Sequence, residues 1–337
     1  MAQTRSYTNN FEIVDYTAEL VSIPNTFGLI QNLNLFQAEP VTQNVVVFEE
    51  TTKDGALLID RVQGERSLVG KDATRKLHTF SLQHFPYDDY ISPQDLQGKR
   101  AYGSDNAETI DAVRVRKLER IRRSHAMTLE FARAQAITLG TVYSPSGLSN
   151  QDWNSEFGVT RTVVDFALGT TGTEVIAKIE AGLAQIMDNT GGEILTGTVT
   201  LCSPEFFAKL ISHSSVKSAY QYYASTQEPS RQRLGGDNAL RREFAFGGTR
   251  FIESRDNFGG VRLIPAGKAF MVPTGTDIFK TFQGPPAIFS LLGTLGEEAY
   301  VFESADQHGT RIDLRSEANF CNAIMRPAMV VTLTSSN

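Results

Sequence analysis

Two short stretches of the sequence contain residue types that could support catalysis, and each has a simpler structural explanation. Gly267-Lys268 resembles the end of a phosphate-binding loop, but Ala269 stands where such a loop needs Ser or Thr. Ser203 could be a nucleophile, yet a nucleophile elbow needs flanking glycines, and Pro204 follows this serine. Ser followed by Pro is typical of a helix start, so we predict that Ser203 caps a helix.

Metal binding and thiol chemistry have equally little support. His84 with Asp88 and Asp89 is the best candidate for a metal site, but two aspartates between tyrosines, just before a Ser-Pro pair, are typical of a solvated turn. The two cysteines, Cys202 and Cys321, lie in apolar runs and are predicted to be buried and unreactive. We therefore expect no metal, no cofactor and no enzymatic activity.

The strongest charge pattern lies between Asp111 and Arg123. This segment has six basic and two acidic residues, a net charge of six minus two or +4, in a chain whose net charge is −6. The basic residues are Arg114, Arg116, Lys117, Arg120, Arg122 and Arg123.

Three interpretations of this basic segment are open. It is a solvated face whose long side chains cover apolar neighbours, or its guanidinium groups pair with carboxylates on adjacent copies of the chain, or it binds DNA. DNA binding is the weakest, because the chain is acidic and the segment has no interleaved aromatic residues. Under the second interpretation we predict that Arg116, Arg120 and Arg123 contact another subunit.

These arginines belong to a long predicted helix, from Ser104 to Leu139. No Pro or Gly interrupts it, and its apolar residues recur every three or four positions. Gly140 is expected to end the helix. At 1.5 Å per residue its length is on the order of 50 Å. This length suggests a strut across the molecule rather than one layer of a compact enzyme.

A charge-balanced insert, residues 53–72, separates two predicted strands, Val45–Phe48 and Leu77–Phe85. It contains four basic and four acidic residues: Lys53, Asp54, Asp60, Arg61, Glu65, Arg66, Lys71 and Asp72. A two-stranded hairpin is marginally stable by itself in water. We therefore predict that these eight residues contact other subunits.

Length and composition indicate an ordinary folded protein. The 337 residues are enough for about two domains, with 41% hydrophobic and 21% charged residues. No apolar run approaches the roughly 20 residues of a membrane span, and the first ten residues lack a signal-peptide core, so we expect a cytoplasmic protein without a membrane partner. The acidic balance argues against a dedicated nucleic-acid-binding protein.

The remaining pattern predicts an α+β fold. Residues 1–37 lack a sustained period and are predicted to be an extended arm, and residues 141–166 are predicted to be short strands separated by turns. A helix over Thr173–Asn189, a strand over Thr198–Cys202 and a further helix after Ser203 follow. Strands are predicted again within Phe244–Met271 and over Ala299–Glu303, Thr310–Leu314 and Met329–Leu333.

This order of elements resembles the major capsid proteins of tailed phages, which have the Hong Kong 97 fold, and in particular the lambda E-like family. The similarity covers most of the chain from about Phe27. It is best in the long helix with the following GTVY, in the stretches VTLCSPEFF, FGGTR and IPAGKAF, and in the terminal AMVVTL. The order of the elements carries more weight than any one of these short matches.

The resemblance implies a domain organisation. It comprises an N-terminal arm (1–37), an extended loop (38–92), a peripheral domain (93–166 and 299–337) with a spine helix (104–139), and an axial domain (167–298).

The resemblance also implies a function and a set of partners. The chain is expected to assemble with itself as pentamers and hexamers of an icosahedral head shell around double-stranded DNA, first in the bacterial cytoplasm and then in the virion. Expected partners are a scaffold, a portal, a decoration protein in some phages, and packaged DNA held non-specifically on the inner face. An encapsulin-like compartment shares the fold and is the alternative, with a cytoplasmic hydrolase less well supported.

Overall fold

A computed structural model describes the chain except for residues 1–2, 8–10, 24–27, 52–74, 98–108, 193–194, 218, 221–241, 307 and 337. Its strands are β1 (Gln3–Tyr7), β2 (Phe11–Asp15), β3 (Gln37–Pro40), β4 (Val45–Thr51), β5 (Arg75–Ser81), β6 (Gln83–Pro86), β7 (Asp89–Ile91), β8 (Val163–Asp165), β9 (Gly197–Cys202), β10 (Glu243–Phe246), β11 (Thr249–Glu253), β12 (Asn257–Phe258), β13 (Val261–Arg262), β14 (Lys268–Thr274), β15 (Phe279–Gln283), β16 (Tyr300–Ala305), β17 (Ile312–Ile324) and β18 (Val331–Thr334). Its helices are α1 (Thr17–Ser22), α2 (Leu29–Asn32), α3 (Ile110–Leu139), α4 (Trp153–Glu156), α5 (Val175–Asp188) and α6 (Pro204–Ser212), with short 3₁₀ turns at Pro93–Asp95, Phe289–Leu291 and Pro327–Met329.

The larger sheet is organised around β17. Its order is β1-β2-β16-β17-β15-β3, and β6 and β7 also pair with successive parts of β17. The pairs with β17 are antiparallel, whereas β15 and β3 run parallel. β17 is 13 residues long and its last nine residues are all buried, so one strand connects most of this sheet.

The second sheet has the order β10-β11-β9-β14-β18-β8, with α5 and α6 packed against it. The predicted helix over Thr173–Asn189 is confirmed as α5. The predicted cap is confirmed as well, because the Ser203 hydroxyl accepts a hydrogen bond from the Phe206 N–H at 3.3 Å and Pro204 begins α6.

The long helix α3 connects two hydrophobic cores. Leu118, Ile121 and Leu129 pack with β17 residues in one core. The last turns of α3, including Ile137, belong to the main core that extends beneath the second sheet. Its 30 residues give a length of about 45 Å, so the predicted strut is present and joins both cores.

Both ends of α3 are set by local chemistry. Gly140 ends it with a φ of 75°, as predicted, and the Arg161 guanidinium lies over the last turn, donating to the carbonyls of Ala136 at 3.0 Å and Thr138 at 3.2 Å. Burial lowers the pKa of Arg161 to about 10. The predicted start at Ser104 is wrong, because Thr109 has extended backbone angles and its hydroxyl accepts from the Ala112 N–H at 3.3 Å.

Two further predictions differ from the structure. The predicted extended arm is wrong from Phe11 onward: β2 pairs with β16 and the Leu20 side chain is fully buried. Residues 141–166 contain a single bridge between Thr141 and Asp152, the short helix α4 and the strand β8 instead of several strands. Both segments contain isolated apolar residues that the rest of the chain covers, which sequence periodicity does not reveal.

Candidate assembly surfaces

The basic segment of α3 is held to the larger sheet by ion pairs within the chain. Arg114 makes a two-point contact with Glu303 of β16, with Nε donating to Oε2 at 2.6 Å and Nη2 donating to Oε1 at 2.9 Å. The hydrogen bond from Arg114 to Glu303 raises the pKa of this arginine. Arg122 pairs with Glu298 through one hydrogen bond, with 3.1 Å between Nη2 and Oε2. Each pair ties the helix to residues more than 170 positions away in the chain.

Asp89 of β7 receives two more cations of the helix. Lys117 Nζ donates to Asp89 Oδ1 at 2.9 Å, and Arg120 Nη2 donates to Asp89 Oδ2. Burial raises the pKa of Asp89, but the donors Lys117, Arg120 and the Tyr90 N–H outweigh it, so the net shift is downward. The predicted solvated turn over Tyr87 to Tyr90 is therefore wrong at Asp89, whose side chain is about nine-tenths buried against α3.

A buried series of hydrogen bonds completes the contact between α3 and the larger sheet, which we call the joint. His125 Nε2 lies 3.0 Å from the Ser316 hydroxyl, and that hydroxyl donates to the Tyr87 carbonyl. Because the serine proton is used by the carbonyl, Nε2 carries the proton and donates to Ser316 Oγ. Burial, together with the charge of Arg122, lowers the pKa of His125 to about 4. His125 is thus a neutral structural donor between α3 and β17.

Among the predicted contact residues on α3, Arg120 has a described intrachain role. Arg120 is paired with Asp89, although 58% of its side chain is exposed. Arg116 and Arg123 lie on the exposed side of the helix. The chain itself supplies carboxylates for this segment, a fourth interpretation that sequence reasoning missed, since the partners on β7 and β16 become neighbours only in the folded chain.

The eight predicted contact residues of the hairpin insert lie outside the described residues, which stop at Thr51 and resume at Arg75. The base of the hairpin is described, and there β4 and β5 pair in antiparallel register from Val45↔Ser81 to Thr51↔Arg75. Phe80 contacts Trp153 with ring centroids 4.5 Å apart, and Phe48 contacts Phe282 at 4.9 Å.

Opposite this packed face, the hairpin base presents an apolar face to solvent. Val45, Val47 and Leu77 are all exposed there. Thr79 and Ser81, the register partners of Val47 and Val45, are uncharged, whereas the register partner of Leu77 is Glu49. We call Val45, Val47, Leu77, Thr79 and Ser81 the outer hairpin face. A face of this kind has no cover within the described residues of its own chain.

The serine and the two cysteines considered for catalysis or thiol chemistry are buried. Ser203 is fully buried and caps α6, and both cysteines are free and buried, with burial raising the pKa of Cys321 to about 12. In the part of the chain that the structure describes, His, Cys, Asp and Glu side chains form no cluster able to hold a metal ion. Each helix among the described residues is too short or too polar to span a bilayer.

Sequence comparison relates the whole chain to phage head proteins. A family model described as phage major capsid protein E matches residues 13–335. The major capsid protein of Pseudomonas phage KPP10 is 45% identical over 342 residues, covering 97% of both chains. The major capsid protein of Salmonella phage Felix O1 is 29% identical with the same coverage.

Solved structures show the same fold. The proposed capsid protein of a prophage in Escherichia coli CFT073 covers 100% of both chains, with a TM-score of 0.60 and 14% identity. The capsid of cyanophage P-SCSP1u covers 99% of this chain and 93% of its own, with a TM-score of 0.53 and 9% identity. These likenesses confirm the predicted α+β Hong Kong 97 fold.

The joint between α3 and β17 predicts an acid-sensitive protomer. The unfolded chain binds a proton on His125 near pH 6.5, whereas the folded chain does so only near pH 4. Folding stability should therefore decrease as the pH falls from about 6.5 to about 4, by about 3 kcal/mol from this residue. Denaturant unfolding at several pH values measures this loss.

His125→Gln keeps an N–H donor but cannot titrate, so its stability should change less over the same pH window. His308→Gln, on the exposed turn before β17, is the matched control and should follow the unaltered protein. An unchanged pH dependence in His125→Gln would show that His125 does not carry the effect.

Proposed function

The chain belongs to the phage major capsid protein E family and forms the shell of a phage head, and we propose that its copies close into an icosahedral shell as pentamers and hexamers. The observation that best supports this proposal is the hairpin base, with one face packed in the core and the outer hairpin face uncovered. A shell of identical copies supplies the missing cover. As a capsid protein the chain is part of the virion, and its family is one of structural proteins rather than enzymes.

We further propose that the domain organisation implied by the sequence applies, with one change. Residues 38–92 form the extended loop, residues 93–166 and 299–337 the peripheral domain, and residues 167–298 the axial domain. The two sheets follow this division in part, since β16 and β17 share one sheet and β9, β10, β11 and β14 share the other. Three strands cross it, because β15 lies in the larger sheet and β8 and β18 lie in the second sheet. We propose an N-terminal arm shorter than 37 residues, because β2 pairs with β16 and Leu20 is fully buried.

The partners beyond other copies are also proposed. Assembly in the bacterial cytoplasm would use a scaffold and a portal, with a decoration protein on the finished shell in some phages. Packaged double-stranded DNA would contact the inner face without sequence readout, as expected for a chain with a net charge of −6. The phage head proteins among its relatives favour a head shell over an encapsulin-like compartment.

The exposed side of α3 is proposed to contact a neighbouring subunit through Arg116 and Arg123. Arg120 remains a proposed contributor through the exposed part of its side chain, while it also pairs with Asp89. The Arg116→Glu, Arg123→Glu double variant leaves the Arg114, Lys117, Arg120 and Arg122 pairs in place. We expect a folded protomer with unaltered circular dichroism, because exposed charges contribute little to folding.

Particle yield of that double variant should fall strongly, because like charges opposed across an interface cost several kcal/mol. Sedimentation of the variant co-expressed with the neighbouring phage head genes measures the yield. Lys217→Glu with Lys268→Glu reverses two exposed charges elsewhere and should assemble normally. Equal yields from the two double variants would contradict the proposed contact.

The hairpin insert is proposed to be an assembly element separable from the fold. Replacing Gly55 to Gly70 with a short Gly-Ser turn keeps all of β4 and β5, including the packed Phe48 and Phe80. Circular dichroism and thermal unfolding of the protomer should change little, because the described core contacts stay in place. Shell formation, followed by negative-stain microscopy, should be lost.

Normal particles from the shortened chain would show that the insert is dispensable for assembly. Failure of the shortened chain to fold would show that the insert belongs to the core, against our domain assignment. A control that replaces the exposed turn Pro145 to Gly147 with Gly-Ser-Gly should fold and assemble as the unaltered chain does.

A further inference from the structure

Three large apolar side chains are exposed on the segment between β15 and β16. Phe289 is 86% exposed, Leu292 66% and Leu295 62%. We call these three residues the apolar ridge. Exposed apolar residues are ordinary when scattered singly, but three within seven positions form a patch.

The ridge stands on a firmly held segment. Leu291, between the ridge residues, is buried against Tyr300 and Phe302. Thr294 Oγ1 donates to the Leu291 carbonyl at 2.7 Å, and the Glu297 N–H donates to the Tyr300 hydroxyl at 2.7 Å. The exposed side chains are therefore presented in a fixed arrangement, which reduces the entropy that a partner must remove on binding.

A groove of about 480 Å³ runs beside the ridge. The described residues that line it are all uncharged: Thr42, Gln43, Asn44, Pro285, Pro286, Ala287, Ile288, Phe289, Leu292 and Gly293. Two buried residues of β17 hold its wall. Glu317 Oε1 accepts the Ala287 N–H at 3.2 Å, and Asn319 Nδ2 donates to the Pro285 carbonyl at 2.7 Å.

The size of the patch indicates what kind of contact it can make. Three largely exposed side chains amount to a few hundred Å², the size at which a patch on a monomer is often functional. A stable isolated dimer needs about 800 Å² from each partner. The ridge and groove therefore suit one of several contacts that each copy makes in a closed lattice, rather than a dimer in solution.

The chain also presents a surface that matches the groove in chemistry. An uncharged, apolar groove favours an uncharged, apolar partner, because a charge placed there would lose its hydration without gaining a counter-charge. The outer hairpin face has this character around Val45 and Val47 in every copy, while Glu49 borders it as the register partner of Leu77. A second copy can therefore supply the cover that neither surface finds among the described residues of its own chain.

We propose that the apolar ridge and its groove are a contact site for a second copy of this chain within the shell. This proposal rests on the proposed shell assembly and adds a specific surface to it. The contact is heterologous, since the ridge of one copy meets a different surface of the next, and such contacts generate rings and closed lattices. Phe289 is the expected anchor, because buried aromatic side chains dominate interface energetics.

Charge substitution at the ridge tests the proposal. The Phe289→Glu, Leu292→Glu variant is co-expressed with the phage head genes, and particles are quantified by sedimentation and microscopy. We expect an unaltered thermal unfolding temperature of the protomer and at least a tenfold loss of particles. Leu148→Glu, at a side chain that is 91% exposed on another turn, is the matched control and should assemble normally.

Photo-crosslinking identifies the occupant of the site. Benzoylphenylalanine at position 289 of assembled particles should give a product of twice the mass of the chain. A product that contains a different head protein, or no product at all, would overturn the proposal, as would normal particle yield from the double variant. If the unaltered chain forms no particles under these conditions, the proposed shell assembly fails instead.

Discussion

The docking of α3 onto β17 and its neighbouring strands is the interaction on which the rest of the protein depends. A helix of 30 residues exceeds what one small core can cover, so most of it packs into one core and its last turns pack into another. Basic residues on the docked side would be costly to bury alone. Glu303, Glu298 and Asp89 meet them with charge-assisted hydrogen bonds, which makes the joint specific as well as stable.

This joint determines where the exposed elements lie. β17 pairs with β6 and β7, which follow the hairpin in the sequence. It also pairs with β15 and β16, which precede and follow the apolar ridge in the sequence. The apolar ridge thus lies between two strands that pair with β17, and the hairpin base is followed directly by β6, a third such strand. A protomer built in this way can present contact surfaces without being reorganised by its neighbours.

Sequence reasoning recovered elements whose signal is local. The period of α3, the glycine at its end and the Ser-Pro start of α6 all depend on residues within a few positions of one another. The predicted start of α3 is too early, because the apolar periodicity continues before Thr109. The Thr109 hydroxyl caps the helix, which begins at the next residue. β17 was recognised only in part, since a strand buried on both faces shows no alternation.

The electrostatic joint could not be predicted, for a physical reason. Asp89 and Arg120 are 31 positions apart, and Arg114 and Glu303 are 189 apart, so their pairing exists only after the sheet has formed. The sequence does show that the helix carries excess positive charge. It does not show whether the balancing carboxylates come from the same chain or from another one, and the structure assigns Arg114, Lys117, Arg120 and Arg122 to partners in the same chain.

Amide hydrogen exchange, compared between the protomer and assembled particles, tests the central claim most directly. If α3 and β17 are complete within one chain, their amides are equally protected in both states. Assembly then slows exchange chiefly in β4, β5 and residues 285–295. Strong protection of α3 that appears only in particles would contradict the account, because it would mean that neighbouring subunits, and not the chain's own sheet, hold the helix in place.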